Sequence, residues 1–164
     1  MRELFTDSIR AGLAKIDLRD LKEPAPNAKA PELIFKDSVK WTVLPDRLRI
    51  ECTREFEFEP ECNFSLTITY FVEHFLKAEG SLDKYTGEEI KKAIVEDLAF
   101  YLQSNQDFSA RMSLLAAQIF SNFGGSPAIT PPAFPIEQDK MIVNNNYNCL
   151  AIILPYNRPG LTDL

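Results

Sequence analysis

Three segments in the first half of the chain alternate apolar and polar residues, which is the pattern of half-buried β-strands. The first carries Val39, Trp41 and Val43 on one face. The apolar faces of the next two are Ile50, Cys52, Phe56 and Phe58, and then Phe64, Leu66, Ile68, Tyr70 and Val72. Turn-forming residues lie at 45–46 and 59–63, and such short connections predict an antiparallel meander.

After these strands the apolar residues recur with the period of an α-helix. Thr86 and Glu89 have the spacing of a capping box, and the helix that they begin carries an apolar stripe of Ile90, Ile94, Leu98 and Tyr101. A second start signal at 104–107 begins a long helix, which Gly124 and Gly125 end. Strands followed by helices predict an α+β fold in which the helices pack on one face of the sheet.

The long helix has a wide apolar surface. Its stripe recurs at steps of three or four residues: Phe108, Met112, Leu115, Ile119 and Phe123. Leu114 and Phe120 flank this stripe, so the apolar arc is wider than one sheet face would cover. We therefore expect the stripe to complete the core and also to pair the subunits of a homo-oligomer.

The two ends of the chain are less clearly patterned. Residues 1–21 suit either a helix or a bulged strand, depending on which apolar residues are counted: Phe5, Ile9, Leu13 and Ile16, or Leu13, Ile16, Leu18 and Leu21. Residues 25–31 predict an exposed connection, and the apolar run 149–154 predicts a strand or a buried tail segment. Since composition does not shift along the chain and no repeat is present, we expect one domain over 1–164.

Composition and charge exclude several classes of protein. A net charge of -6 and a pI near 4.9 disfavour nucleic acid as a partner. No run approaches the roughly 20 apolar residues of a membrane span, and the first residues do not have the pattern of a signal peptide. The 3 cysteines are odd in number and widely spaced, which favours a reducing, cytoplasmic location over a disulfide framework.

The residues that carry chemistry form no recognisable site. His74 is the only histidine, and we expect it to be a half-buried sheet residue. The cysteines lack the close spacing of a structural zinc site. Gly124 and Gly125 follow a helix, whereas a phosphate cradle precedes one. The sequence therefore predicts neither an enzyme nor a metal or cofactor site.

Two segments, taken with the order of strands and helices, resemble the SecB export-chaperone family. One is Ala25-Pro26-Asn27-Ala28, and the other runs from Gly124-Gly125-Ser126-Pro127 to Pro132-Ala133-Phe134. The resemblance covers about residues 9–134 and leaves 135–164 as a divergent C-terminal extension. It implies a four-stranded antiparallel sheet with two C-terminal helices on one face.

The resemblance also implies a function, namely an oligomeric holdase that binds unfolded polypeptides, including preproteins for export, without ATP. Family members are dimers of dimers with eight-stranded and helical interfaces. By position, the implied client-binding groove consists of Val39, Trp41, Val43, Ile129, Pro131, Pro132 and Phe134. The alternative is a SecB-like module dedicated to one protein partner, for example an antitoxin; a small-ligand protein has no polar constellation to support it.

Docking on the SecA motor is a further implication of the resemblance. The family uses acidic residues of the sheet surface for it, and Asp20 matches one such position, whereas Pro24 stands where a second acid is expected. An acidic row of Glu55, Glu57 and Glu59 alternates with the apolar residues of its strand and is expected to face solvent. We interpret it first as a solvated face and second as a partner-docking surface.

Overall fold

The structure is a computed structural model that describes residues 1–20, 32–59, 64–102, 108–122 and 154–155. After a short 3-10 helix at Arg2–Leu4, the strands are β1 (Phe5–Asp20), β2 (Glu32–Leu44), β3 (Arg47–Glu59), β4 (Phe64–Leu76) and β5 (Leu154–Pro155). The helices, which lie between β4 and β5 in the sequence, are α1 (Gly87–Glu96), α2 (Leu98–Tyr101) and α3 (Phe108–Asn122). Four long strands and the 2-residue β5 form one antiparallel sheet, so the predicted α+β class is confirmed.

The first strand settles the question that the sequence left open at the N-terminus. β1 pairs with β4 from Phe5 opposite Leu76 to Asp20 opposite Phe64, and the register shifts between Phe5 and Ile9 and between Leu13 and Lys15. The bulged strand is therefore the correct alternative, and the helix is wrong. The strand order is β1-β4-β3-β2-β5, so β1 adds to the far side of the predicted meander.

The core lies on the face of the sheet that carries the even-numbered residues of β3 and β4, which is called the inner face below. Leu48, Ile50, Leu66, Ile68 and Val72 are fully buried there. The helices contribute buried residues to the same hydrophobic cluster: Leu82 precedes them, and Ile90, Ile94, Tyr101, Met112, Ala116 and Phe120 belong to them. The helices thus cover the inner face, while the opposite, outer face carries most of the sheet's charges.

The capping box at the start of α1 is confirmed. The backbone N–H of Glu89 donates to Thr86 Oγ1 at 3.3 Å, and the backbone N–H of Thr86 donates to Glu89 Oε2 at 2.8 Å. The apolar stripe that follows is divided between two helices, because Asp97 ends α1 and accepts a hydrogen bond from the Phe100 N–H at the start of α2. Tyr101 still reaches the core.

The buried side of α3 differs from the predicted stripe. Met112, Ala116 and Phe120 are buried, whereas Leu115 and Ile119 are half-buried at the border of the core. The ring of Phe120, predicted as a flank, lies 5.4 Å from that of Phe56 and 4.9 Å from that of Phe64. These aromatic contacts fix the rotation of the helix, and they turn Leu114 outward with 63% of its surface exposed.

His74 is fully buried, so the half-buried position expected for it is wrong. Its ring packs between β1 and α2, with ring centroids 5.6 Å from Phe5 and 4.9 Å from Phe100. Nε2 donates to the Tyr101 carbonyl oxygen at 2.9 Å, while Nδ1 has no hydrogen-bond partner within the described residues. Burial lowers the pKa of His74 below 6.5, against a smaller opposing effect of the Tyr101 carbonyl.

This burial makes stability depend on pH. As the pH falls below 6.5, the unfolded chain binds a proton at His74 more readily than the folded chain does, so the free energy of unfolding falls as the pH decreases. The slope attributable to one proton is at most about 1.4 kcal/mol per pH unit. Urea titrations between pH 7.5 and 5.5 should show this loss in the parent and not in His74→Gln, which retains a donor for the Tyr101 carbonyl.

Because the chain has 1 histidine, no other imidazole contributes in that pH range. Equal pH slopes for the parent and His74→Gln would show that the imidazole is accessible to protons in the folded state.

Candidate functional site

A buried ion pair links three elements on the inner face. Arg54 of β3 donates from Nε to Asp37 Oδ1 and from Nη2 to Asp37 Oδ2, both at 2.6 Å. Its Nη1 donates to Ser113 Oγ of α3 at 2.9 Å. The Arg54 side chain is 0% exposed, and that of Asp37 is 2% exposed. We call these three residues the Arg54 clamp; it joins β2 and β3 side by side and holds α3 above them.

The chemistry of the clamp is structural. A planar guanidinium matches a carboxylate in a two-bond, fork-like arrangement, which fixes direction as well as distance. The Phe35 ring, 5.2 Å from the guanidinium carbon, excludes water from one side. Buried charges are tolerated only when they are paired and hydrogen-bonded, so the clamp positions β2 and α3 accurately relative to each other.

An apolar row is exposed along β1. Ile9, Leu13, Ile16 and Leu18 are between 36% and 44% exposed. They lie on the inner side of the sheet, because Ile16 is opposite Ile68 and Leu18 is opposite Leu66 in the register. Those two β4 neighbours are fully buried, so the cover over the inner face ends between β4 and β1. We call these four residues the β1 apolar row.

β1 is also the end strand of the sheet. Within the described residues its only strand neighbour is β4, so the backbone on its other side pairs with no strand. It is 16 residues long. A long edge strand with apolar side chains is a surface on which another chain pairs, unless it is protected. The β1 apolar row is therefore the clearest interaction surface in the described part of the chain.

The outer face carries a charge network at the level of Glu73. Arg49 Nη1 donates to Glu73 Oε1 at 2.9 Å, and Arg10 and Arg47 each approach this carboxylate at 3.6 Å. The guanidinium carbon of Arg49 lies 4.4 Å from the centre of the Phe71 ring. Two further carboxylates take part: Arg49 contacts Glu51 at 2.9 Å, and Arg47 contacts Asp46 at 3.4 Å. Three arginines therefore face three carboxylates, so the network stiffens the outer face and offers no net charge for an anion.

The predicted acidic row occupies the outer face of β3. Glu55, Glu57 and Glu59 are exposed, and Lys36 Nζ lies 3.2 Å from Glu57 Oε2. Asp20 ends β1, which β4 separates from β3, so the structure does not place it beside the other three. The solvated position expected for the row is observed. Its role in docking a partner stays a prediction.

The predicted client-groove residues fall in two parts of the chain. Trp41 is 2% exposed and Val39 is similarly buried, while Val43 is half-buried against the core. As the structure stands, Trp41 and Val39 present almost no surface to a client. The other four lie outside the described residues: Ile129, Pro131, Pro132 and Phe134. Their client-binding role stays a prediction, and a substitution at Trp41 would act first on the core.

The predicted oligomer-interface residues are also only partly described. Met112 is core, Leu115 and Ile119 are half-buried, the side chain of Phe108 is not described, and Phe123 lies outside the described residues. In the structure, Met112, Leu115 and Ile119 therefore lie at the interface between α3 and the sheet of the same chain. Whether they also meet a second copy stays a prediction.

Groups that might carry chemistry are inert or isolated in the described residues. Burial, with Asp37 and Glu51 nearby, raises the pKa of the Cys52 thiol to about 12, so it is not a nucleophile near neutral pH. No three His, Cys, Asp or Glu side chains of residues 1–20, 32–59, 64–102 and 108–122 cluster as metal ligands. Within the same residues, no helix is long and apolar enough to span a membrane.

The Arg54 clamp was missed in the sequence, although the alternation carries its signal. Arg54 falls between Cys52 and Phe56 on the inner face, and Asp37 falls between Phe35 and Val39. Two opposite charges that interrupt two neighbouring apolar faces predict a buried pair. Only the register, in which these two residues are directly opposite, identifies them as partners.

Comparison with solved structures finds a likeness to the SecB-like chaperone Rv1957 of Mycobacterium tuberculosis, solved in complex with a ChAD peptide from the Rv1956 HigA1 antitoxin. The TM-score is 0.46 at 13% sequence identity, over 77% of this chain and 87% of that one. No protein-family model and no curated protein matches the chain. The likeness is remote.

Removing one partner of the clamp should destabilise the protein more than removing both. Asp37→Ala leaves the guanidinium buried and uncompensated, which should cost about 3–5 kcal/mol of unfolding free energy. The double variant Asp37→Leu with Arg54→Met should recover most of this loss, since no charge is left without a partner. Chemical denaturation of both variants, followed by circular dichroism, measures the difference.

Lys36→Ala, next to Asp37 but on the outer face, is the matched control, and its exposed ion pair with Glu57 should be worth less than about 1 kcal/mol. A double variant as unstable as Asp37→Ala would show that β2 and β3 depend on the charges themselves.

Proposed function

We propose that the protein is an ATP-independent, oligomeric holdase that binds non-native polypeptides and releases them to another factor. The observation that carries the proposal is the β1 apolar row. The inner face is otherwise covered, yet this row of four large side chains remains in solvent along an edge that pairs with no strand of the described residues. Large contiguous apolar surfaces are unusual on proteins that act alone. The two SecB-like segments of the sequence agree with this function.

The same row supports a mode of assembly. Two four-stranded sheets become one eight-stranded sheet when they join through an edge strand, and β1 is the long, apolar edge of this sheet. Antiparallel pairing of β1 with a second copy satisfies its backbone and buries the row of both copies at once. We propose such a dimer as the first step of assembly, with the exposed Leu114 side of α3 available for pairing dimers.

The clients proposed are extended, non-native chains with apolar segments. Contacts with several subunits make such binding multivalent, so weak individual contacts suffice. Pro24 stands where docking on SecA would need an acid, so the proposed release of clients does not depend on SecA. A module dedicated to one protein partner is the second candidate, since the acidic residues of β3 form a separate exposed surface that a single partner of opposite charge would fit.

Charges placed in the β1 apolar row should dissociate the oligomer. Leu13→Lys combined with Ile16→Lys puts two cations on each side of the proposed junction and should weaken self-association by at least about tenfold, equivalent to about 1.4 kcal/mol. Size-exclusion chromatography with light scattering measures the mass over a range of concentrations. Ser8→Lys, exposed on the same strand and outside the row, should assemble as the parent does.

An intact oligomer of the double variant would contradict the β1 junction. If client binding were lost at the same time, the row would instead be a client surface.

Holdase activity is tested by aggregation. The purified protein at stoichiometric amounts, without ATP, should suppress light scattering by two unrelated denatured proteins. The expected result is suppression of both, because apolar surfaces on an adaptable oligomer discriminate poorly between clients. Failure with both would reject the general holdase and favour a dedicated partner.

A further inference from the structure

The second edge of the sheet is β2, and it differs from β1. β2 pairs with β3 over its whole length of 13 residues. On its other side, within the described residues, it pairs only with β5, where Lys36 is opposite Pro155 and Asp37 is opposite Leu154. Most of this edge is therefore without a strand partner in the described part of the chain.

The backbone of this edge is held in place where β5 adds. The Asp37 carboxylate is fixed by two 2.6 Å hydrogen bonds from Arg54, which Ser113 anchors to α3. A strand acceptor binds mainly through backbone groups, and an acceptor that is already ordered loses little entropy on binding. The Arg54 clamp therefore prepares this part of β2 to receive a strand.

Leu154 and Pro155, which pair with the edge, stand at the end of a stretch of sequence that has the chemistry of a client. Residues 149–154 have the sequence Cys-Leu-Ala-Ile-Ile-Leu, which is apolar and without charge, and Pro155 follows. Proline has no N–H to donate, so a hydrogen-bonded ladder weakens at that residue. Attachment to the same chain gives the segment a high effective concentration at the edge, even if its intrinsic affinity is low.

We propose that the edge of β2 away from β3 is a strand-accepting site, which the chain's own segment ending in Leu154–Pro155 occupies in the resting state and an extended apolar client segment takes by displacing it. The juxtaposition of β5 with Lys36 and Asp37 carries this inference. It rests on the proposed function for the identity of the displacing chain. The site itself is a property of the sheet edge and does not depend on that function.

The test compares three chains: the parent, a chain that ends at Asn148, and a control that ends at Pro155 and so retains β5. The probe is a fluorescent peptide with the sequence of residues 148–156, and binding is followed by anisotropy. The chain ending at Asn148 should bind it at least tenfold more tightly than the parent. The control should behave as the parent, and a peptide carrying Ile153→Pro should bind to none.

Amide hydrogen exchange shows where on β2 the strand binds. Amides around Lys36 and Asp37 should exchange faster in the chain ending at Asn148 than in the parent, and added peptide should restore protection. If the shortened chain does not fold, the full-length variant Ile152→Asp with Leu154→Asp replaces it, because it places two charges in the apolar stretch that is proposed to add to the edge. Equal peptide affinity and equal exchange in all chains would overturn the proposal.

Client suppression, measured on the same chains, separates this proposal from the holdase function. If all three chains suppress client aggregation and peptide affinity does not differ between them, the strand site is overturned and the holdase function is retained. Peptide binding and protection at Lys36 and Asp37 without suppression by any chain would support the strand site and reject the holdase. Stronger suppression by the chain ending at Asn148 would support both.

Discussion

The Arg54 clamp is the interaction on which the arrangement of the inner face depends. Two charges are removed from water in the middle of an apolar surface, at a cost that only close pairing and full hydrogen bonding offset. That requirement admits one register of β2 on β3 and one position of α3 above them. Ser113 and Phe120 lie 7 positions apart on α3, about two helical turns, so the clamp and the aromatic contacts of Phe120 fix the helix at two points.

The two central strands of the sheet are thus fully paired and covered, and its two edge strands differ from each other. β4 and β3 are covered on their inner face and paired on both sides. β1 exposes apolar side chains, whereas the edge of β2 away from β3 pairs, among the described residues, only at Lys36 and Asp37. Binding at β1 is driven by the burial of apolar side chains, and the free energy gained is proportional to the apolar area buried. Such a surface favours a fixed, self-complementary partner. Binding at β2 gains from main-chain hydrogen bonds, which nearly any extended sequence supplies.

Local chemistry made much of this fold predictable. The alternation in β3 and β4 and the capping box at Thr86 and Glu89 depend on neighbours in the sequence, and these features are present as expected. The position of β1 beside β4 depends on pairing between distant residues, which alternation does not encode. The rotation of α3 was set by contacts of Phe120 with Phe56 and Phe64, so a count of apolar positions misplaced its buried side. The Arg54 clamp could be predicted only from the register of β2 on β3, which the sequence pattern does not provide. The predicted groove residues from Ile129 to Phe134 lie outside the described residues.

The strand order connects the proposed assembly to the proposed capture of clients. In the order β1-β4-β3-β2, joining two copies through β1 leaves the two β2 edges at opposite ends of an eight-stranded sheet. Seven spacings of about 4.8 Å separate them by roughly 34 Å. An extended chain covers that distance with about 10 residues. A client long enough to reach both edges is held twice, so a dimer formed through β1 selects for long unfolded chains over short peptides without any preference for sequence.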